Sequence, residues 1–140
     1  MVKIEEREKR LLQAALKTMD NAYVLWGFKV GAAVLAENGQ IYGGCNVESW
    51  VSGLGICAER NAINHAVLYG NRKIDEIAIV MEISSHNEPK PCGACLQYIH
   101  DFAKNFKIKV VMAKAKNGEI LFNTVEVKTL EELLPFPFRK

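Results

Sequence analysis

No apolar run in this 140-residue chain reaches the length of a membrane span, and its first residues are charged rather than signal-like. Membrane insertion is therefore not expected, and the sequence reads as cytoplasmic. Net charge is also slight, at +2, with no Lys/Arg cluster long enough to line a nucleic-acid groove. That argues against polynucleotide editing or any other polynucleotide partner. Repeats and low-complexity stretches are absent. Cysteine is sparse, at four residues, and histidine sparser, at three. In a reducing compartment so few cysteines read better as metal ligands than as a disulfide framework.

What remains has the make-up of one globular domain spanning 1–140, with 49% hydrophobic and 24% charged residues. Residues 5–21 read as a helix, with Leu11, Leu12, Ala15, Leu16 and Met19 as its apolar stripe and Lys and Glu filling the opposite face. Residues 30–36 and 40–46 read as strands of a hairpin turning through Asn38-Gly39, and Gly43-Gly44 permits close backbone approach. A helix is predicted over 57–69, with Ala58, Ala62, Ile63, Ala66 and Val67 facing inward. There follow a buried strand over 74–83, a polar loop over 84–90 and a helix over 92–104. Strands over 107–113 and 119–122 precede a short helix capped by Thr129 and ending at Leu134. A hairpin followed by alternating strands and helices predicts an α/β fold, a three-layer α/β/α sandwich on a mixed sheet.

The chemistry concentrates in Cys57-Ala58-Glu59-Arg60 and Pro91-Cys92-Gly93-Ala94-Cys95. A Cys-x-x-Cys turn offers two thiolates, and Cys57 offers a third from elsewhere in the chain. Three protein ligands leave the fourth tetrahedral position of Zn²⁺ open to water, as in catalytic sites, whereas structural sites close it with a fourth ligand. Glu59 follows the lone Cys by two residues, within reach of that water without ligating. Cys or His, then Glu two residues on, then Pro-Cys-x-x-Cys is the zinc deaminase pattern, with the Glu as general acid and base. Alone, a carboxylate at a helix start would more simply complement the helix dipole. His86, in the loop beside the pair, is an alternative fourth ligand; His65 and His100 fall on helices as surface or packing residues. Cys45, with apolar flanks, reads as structural.

With Phe28-Lys29-Val30-Gly31-Ala32-Ala33, Gly44-Cys45-Asn46-Val47-Glu48 and Leu133-Leu134-Pro135 followed by Phe138, these motifs resemble the small homo-oligomeric cytidine deaminases. The resemblance runs from about Phe28 to Phe138 and implies a mixed five-stranded sheet, one Zn²⁺ per subunit and hydrolytic deamination of cytidine and deoxycytidine. It implies Cys57, Cys92 and Cys95 as ligands and Glu59 as proton carrier; Arg60, one residue after Glu59, is the candidate donor of hydrogen bonds to thiolate sulfur that soften the charge of three thiolates. For the nucleoside it implies the Ala58 N–H on the pyrimidine O2 and the Lys90 carbonyl at the leaving amine. It further implies Asn46 and Glu48 on the ribose, Phe28 against the base, and Phe138 reaching into a neighbour's site in a homotetramer or homodimer. The chain departs from that family's pattern near the pocket. The segment over 23–27 is about one residue short, Ser49 stands for a common Asn, Ser52 for a frequent Tyr, Lys90 for Ser, and Leu96 for a second Arg. Other readings are a deaminase of a blasticidin-type or modified cytidine nucleoside, and a non-catalytic zinc module that senses a nucleoside.

Overall fold

The structure, a computed structural model, describes residues 3–84 and 88–139. Its first helix, α1 (Glu6–Met19), starts where the Glu8 carboxylate accepts the Glu5 N–H at 3.1 Å. Of the predicted stripe, Leu11, Leu12, Ala15 and Met19 are buried and Leu16 is half-buried. The hairpin forms from β1 (Val30–Ala36) and β2 (Ile41–Cys45), and Gly39 provides the left-handed φ of +83° that its turn needs. A 3₁₀ turn at Ser52–Leu54 leads to α2 (Ala58–Leu68) and then β3 (Ile74–Glu82). The chain continues through α3 (Gly93–Phe102), β4 (Lys109–Lys116), β5 (Glu119–Thr129) and a single turn, α4 (Leu130–Leu133).

Among the described residues these strands make one five-stranded sheet in the order β2-β1-β3-β4-β5. Only β3 and β4 run parallel, joined by the crossover through α3, so the sheet is mixed as expected. Side-chain alternation then sends two apolar sets to opposite faces. Ala33, Ala78, Val80, Val111 and Ala113 pack on α1, while Val34, Ile77, Ile79, Val110 and Met112 pack with Ala62, Ile63 and Ala66 of α2 and Ile99 of α3. The result is the three-layer α/β/α arrangement, with both sheet faces covered.

Three expectations need correction. The last strand is not confined to 119–122 but runs on to Thr129, because Glu126, Val127, Lys128 and Thr129 pair along β4. A register shift between Met112 and Lys114 absorbs the polar stretch between, where Thr124 Oγ1 accepts the Lys114 N–H at 2.9 Å. Val67 is exposed, since α2 is covered on the narrower stripe of Ala62, Ile63 and Ala66.

The third correction concerns α1, whose charges do not all face water. Glu8 is 2% exposed and meets Glu76 of β3, itself 1% exposed, with the Arg7 Nε 3.3 Å from Glu76 Oε2 and Lys109 Nζ 4.0 Å from Glu8 Oε1. Burial, then the neighbouring Glu8 charge, pushes the Glu76 carboxyl up to about 7. A carboxyl that holds its proton more tightly folded than unfolded stabilises the fold fully below its ordinary value of 4.5, and this contribution is lost as pH rises through about 7. Glu76→Gln should therefore raise thermal stability at pH 8 and change it little at pH 4.5. Allowing for Arg7 and solvent screening, the gain at pH 8 is on the order of 1 kcal/mol. Thermal unfolding of both proteins across that pH range checks this.

Candidate functional site

The cysteines come together because two helices begin at the same place on one sheet face. Gly44 of β2 lets α2 lie directly on the strand: a Cβ there would stand 2.3 Å from the Ala62 N and 2.8 Å from the Ala58 O. The start of α2 is thereby fixed, with Cys57 as its N-cap. Cys92 is the N-cap of α3, where its sulfur accepts the Cys95 N–H at 3.4 Å, and Cys95 sits in the first turn. The Sγ atoms of Cys57, Cys92 and Cys95 lie within 4.8 Å of one another, the one such metal-competent group among the described residues. Tetrahedral Zn–S bonds of about 2.3 Å place sulfurs roughly 3.8 Å apart, so a small contraction accommodates the ion. An all-thiolate donor set also suits zinc. These residues fit the metal. His86 lies outside the described residues.

Two helix N-termini converge on the cluster, and their partial positive charge favours thiolates. Cys57 is pushed down to about 5, first by a hydrogen bond from the Cys95 thiol and then, against the opposing effect of burial, by Arg60. Cys95 is pushed up for the reciprocal reason, with burial adding to it. The Arg60 guanidinium donates to Cys57 Sγ at 3.5 Å, and the neighbouring sulfurs hold its proton more firmly in turn. Leu96, where a second Arg was wanted, is buried in the core and supplies no charge. Arg60→Ala should then lower zinc affinity by about 10–100-fold, as read by competition with a chromogenic chelator.

Glu59 sits in the first turn of α2, only 5% exposed. Burial, the largest effect, pushes its carboxyl above the ordinary carboxylate range, with a bond from its own backbone N–H in partial opposition. With Cys57, Ala58 and Cys92 it lines a cavity of about 270 Å³, whose other walls include Phe28, Asn46, Glu48 and Lys90. That is the small end of small-molecule sites, which run to roughly 300–1,000 Å³, and suits one small ring system.

The structure thus places every predicted site residue in the thiol cluster or on the cavity wall except two. Arg60 stands behind the sulfurs rather than in the cavity, and Phe138 lies outside it, 77% exposed. The Phe138 backbone is pinned to α3 by a pair of bonds with Gln97, at 2.8 and 3.0 Å. Sequence reasoning missed Val30, Ile79, Met81 and Gly27 as cavity walls. The run over 77–81 is buried on both faces, so periodicity did not reveal that its odd-numbered members face the helices bearing the cysteines. Cys45, partly buried with its thiol pushed up by burial, keeps its structural reading.

Residues 5–121 match the family described as the cytidine and deoxycytidylate deaminase zinc-binding region. A cytidine deaminase of Sporosarcina psychrophila is 37% identical over 133 residues, covering 94% of this chain and 91% of that protein. A blasticidin-S deaminase of Bacillus cereus is 27% identical over 143 residues, covering 98% and 96%. Among solved structures, cytidine deaminase from Burkholderia pseudomallei superposes with a TM-score of 0.80 at 35% identity, covering 96% of this chain and all of that one.

Proposed function

The chain belongs to the cytidine and deoxycytidylate deaminase family, and on that premise we propose that it hydrolyses cytidine and deoxycytidine to uridine and deoxyuridine, releasing ammonia. The observation that carries this reading is a buried carboxyl, Glu59, held beside three converging thiols on the wall of a cavity sized for one small ring system.

Cys57, Cys92 and Cys95 hold the zinc, one per subunit. When bound, zinc supplies a Lewis acid that lowers the pKa of water to near neutrality. Glu59 receives the proton that water gives up as its oxygen adds to C4 of the cytosine ring, and passes that proton to N3. The C4–N bond then breaks, with a second proton relayed through Glu59 to the departing ammonia. A carboxyl whose affinity for protons is raised by burial suits both halves of this exchange, and such shuttling contributes roughly 10²–10⁴-fold in rate. The Ala58 N–H, in the first turn of α2 where backbone donors have no intrahelical acceptor, donates to the pyrimidine O2. The Lys90 carbonyl accepts from the exocyclic amine, Phe28 packs on the base, and Asn46 and Glu48 face the sugar.

The protein acts as a cytoplasmic homo-oligomer, a tetramer in preference to a dimer, with no nucleic-acid or membrane partner. Among the described residues no helix is long and apolar enough to cross a membrane. Phe136 and Phe138 at the C-terminus and Trp50, Val51 and Leu54 near the cavity expose apolar surface that association would cover. In this reading Phe138 completes a neighbour's cavity. A panel of cytidine, deoxycytidine and blasticidin S, followed by ammonia release, tests the substrate. The pyrimidine nucleosides should be deaminated far faster than the antibiotic; turnover of blasticidin S alone would overturn the proposal.

A further inference from the structure

The two side chains placed on the sugar are already engaged with the protein's own backbone. Asn46 and Glu48 project to one side of an extended segment, two residues apart. That segment is itself fixed, since Val47 exchanges two backbone bonds with Ile56, at 3.0 and 2.9 Å, and Tyr23 bonds Asn46 and Glu48, at 3.0 and 2.8 Å. Asn46 Oδ1 accepts the Val30 N–H and its Nδ2 donates to the Phe28 carbonyl, both at 2.9 Å.

Glu48 does more. Its Oε1 accepts from the Leu25 and Trp26 N–H groups at 2.5 and 2.7 Å, and its Oε2 accepts from Gly27 at 3.2 Å. Among the described residues these three amides have no other hydrogen-bond partner. The bonds hold the carboxyl below its ordinary range, so the group is an anion wrapped by consecutive N–H donors. Gly27 is shaped to this contact, because a Cβ there would stand 2.7 Å from Oε2. The loop leads directly into Phe28 and carries Trp26, whose ring meets Trp50 edge-on at 5.6 Å.

We propose that Glu48 is a positioning residue whose carboxylate latches the loop over 25–27 and so sets Phe28 at the cavity. The latch deepens the deaminase reading and rests on it for its kinetic consequence. Counting acceptors, Oε1 is fully used and Oε2 keeps one site, so Glu48 takes at most one ligand hydroxyl while the loop stays latched. Glu48→Gln keeps the shape but turns a donor toward a backbone donor, which breaks the latch on one side.

The test uses zinc-loaded wild type, Glu48→Gln and Gly27→Ala, with circular dichroism and zinc content confirming that each variant is folded and loaded. In the ligand-free proteins, amide exchange at Leu25, Trp26 and Gly27 should quicken by about tenfold or more in Glu48→Gln. Gly27→Ala, which displaces the carboxylate from the other side, should quicken exchange at Leu25 and Trp26 likewise. On substrate, kcat/KM should fall by about tenfold or more in Glu48→Gln both for cytidine and for 2′,3′-dideoxycytidine, which has no 2′- or 3′-hydroxyl to read. A loss confined to cytidine would make Glu48 a sugar contact only and overturn the latch, as would unchanged exchange in both variants. Failure of the wild type to turn over any cytidine nucleoside would sink the deaminase reading separately, with the exchange result standing on its own.

Discussion

Glu59→Gln should leave zinc content and nucleoside affinity near wild-type levels while lowering kcat by roughly 10²–10⁴-fold. The substitution preserves size and hydrogen-bonding reach, so packing beside Ala58 and the cysteines is undisturbed. It removes the group's ability to gain and release a proton at accessible pH. Because the carboxyl is buried and aimed into the cluster, no surface residue replaces it. The simpler role for a carboxylate in a helix's first turn, complementing the dipole, is worth only about 0.3–1 kcal/mol of stability and nothing in catalysis. The two roles separate cleanly in steady-state kinetics. A collapse of kcat at constant KM marks an interaction made in the transition state. A variant with full zinc, lower thermal stability and intact kcat would mark a mere helix-end charge.

Removing the metal should have an equally large effect by a different route. Chelation of the wild type should abolish turnover, and stoichiometric zinc should restore it. Cys57→Ala, Cys92→Ala and Cys95→Ala should each lose both metal and activity, with Cys95→Ala also the most destabilising because that sulfur is fully buried. A ligand that binds only the folded protein adds RT ln(1 + [L]/Kd), so the melting temperature should drop on chelation and recover with zinc. The sign with pH follows from thiol chemistry. Protons compete with the ion for sulfur, so zinc should be released as pH falls, with retention improving as pH rises. Metal analysis after dialysis over a pH series checks this, alongside melting curves with and without chelator.

The thiol cluster was legible in the sequence because it depends on short spacings. A Cys-x-x-Cys at a helix start can hardly place its sulfurs elsewhere, and Gly44 announced a close approach that proved to seat α2. The sheet was legible for a similar reason, since hairpin and crossover each leave a local pattern. Long-range pairings left none. Nothing in Glu8 or Glu76 taken singly shows that a helix carboxylate and a strand carboxylate will share a buried corner with Arg7. The extension of β5 was hidden by the polar Asn123 and Thr124, which fall where the register shifts, before Glu126 to Thr129 resume pairing with β4. Glu48 is the sharpest case. Its motif points to a sugar contact, but its three amide partners lie 21 to 23 residues earlier in the chain, in a loop with no periodicity to read. By contrast, the loss of a second Arg at Leu96 and the donor role of Arg60 at Cys57 were both visible.

The most direct test of the central claim is mass analysis of cytidine incubated with the zinc-loaded wild type in ¹⁸O-water. Uridine should carry the heavy oxygen at C4, with one ammonia per uridine, and both products should be lost in Glu59→Gln at unchanged zinc content. Unaltered cytidine in the presence of fully loaded wild type, or uridine formed equally well without Glu59, would contradict it.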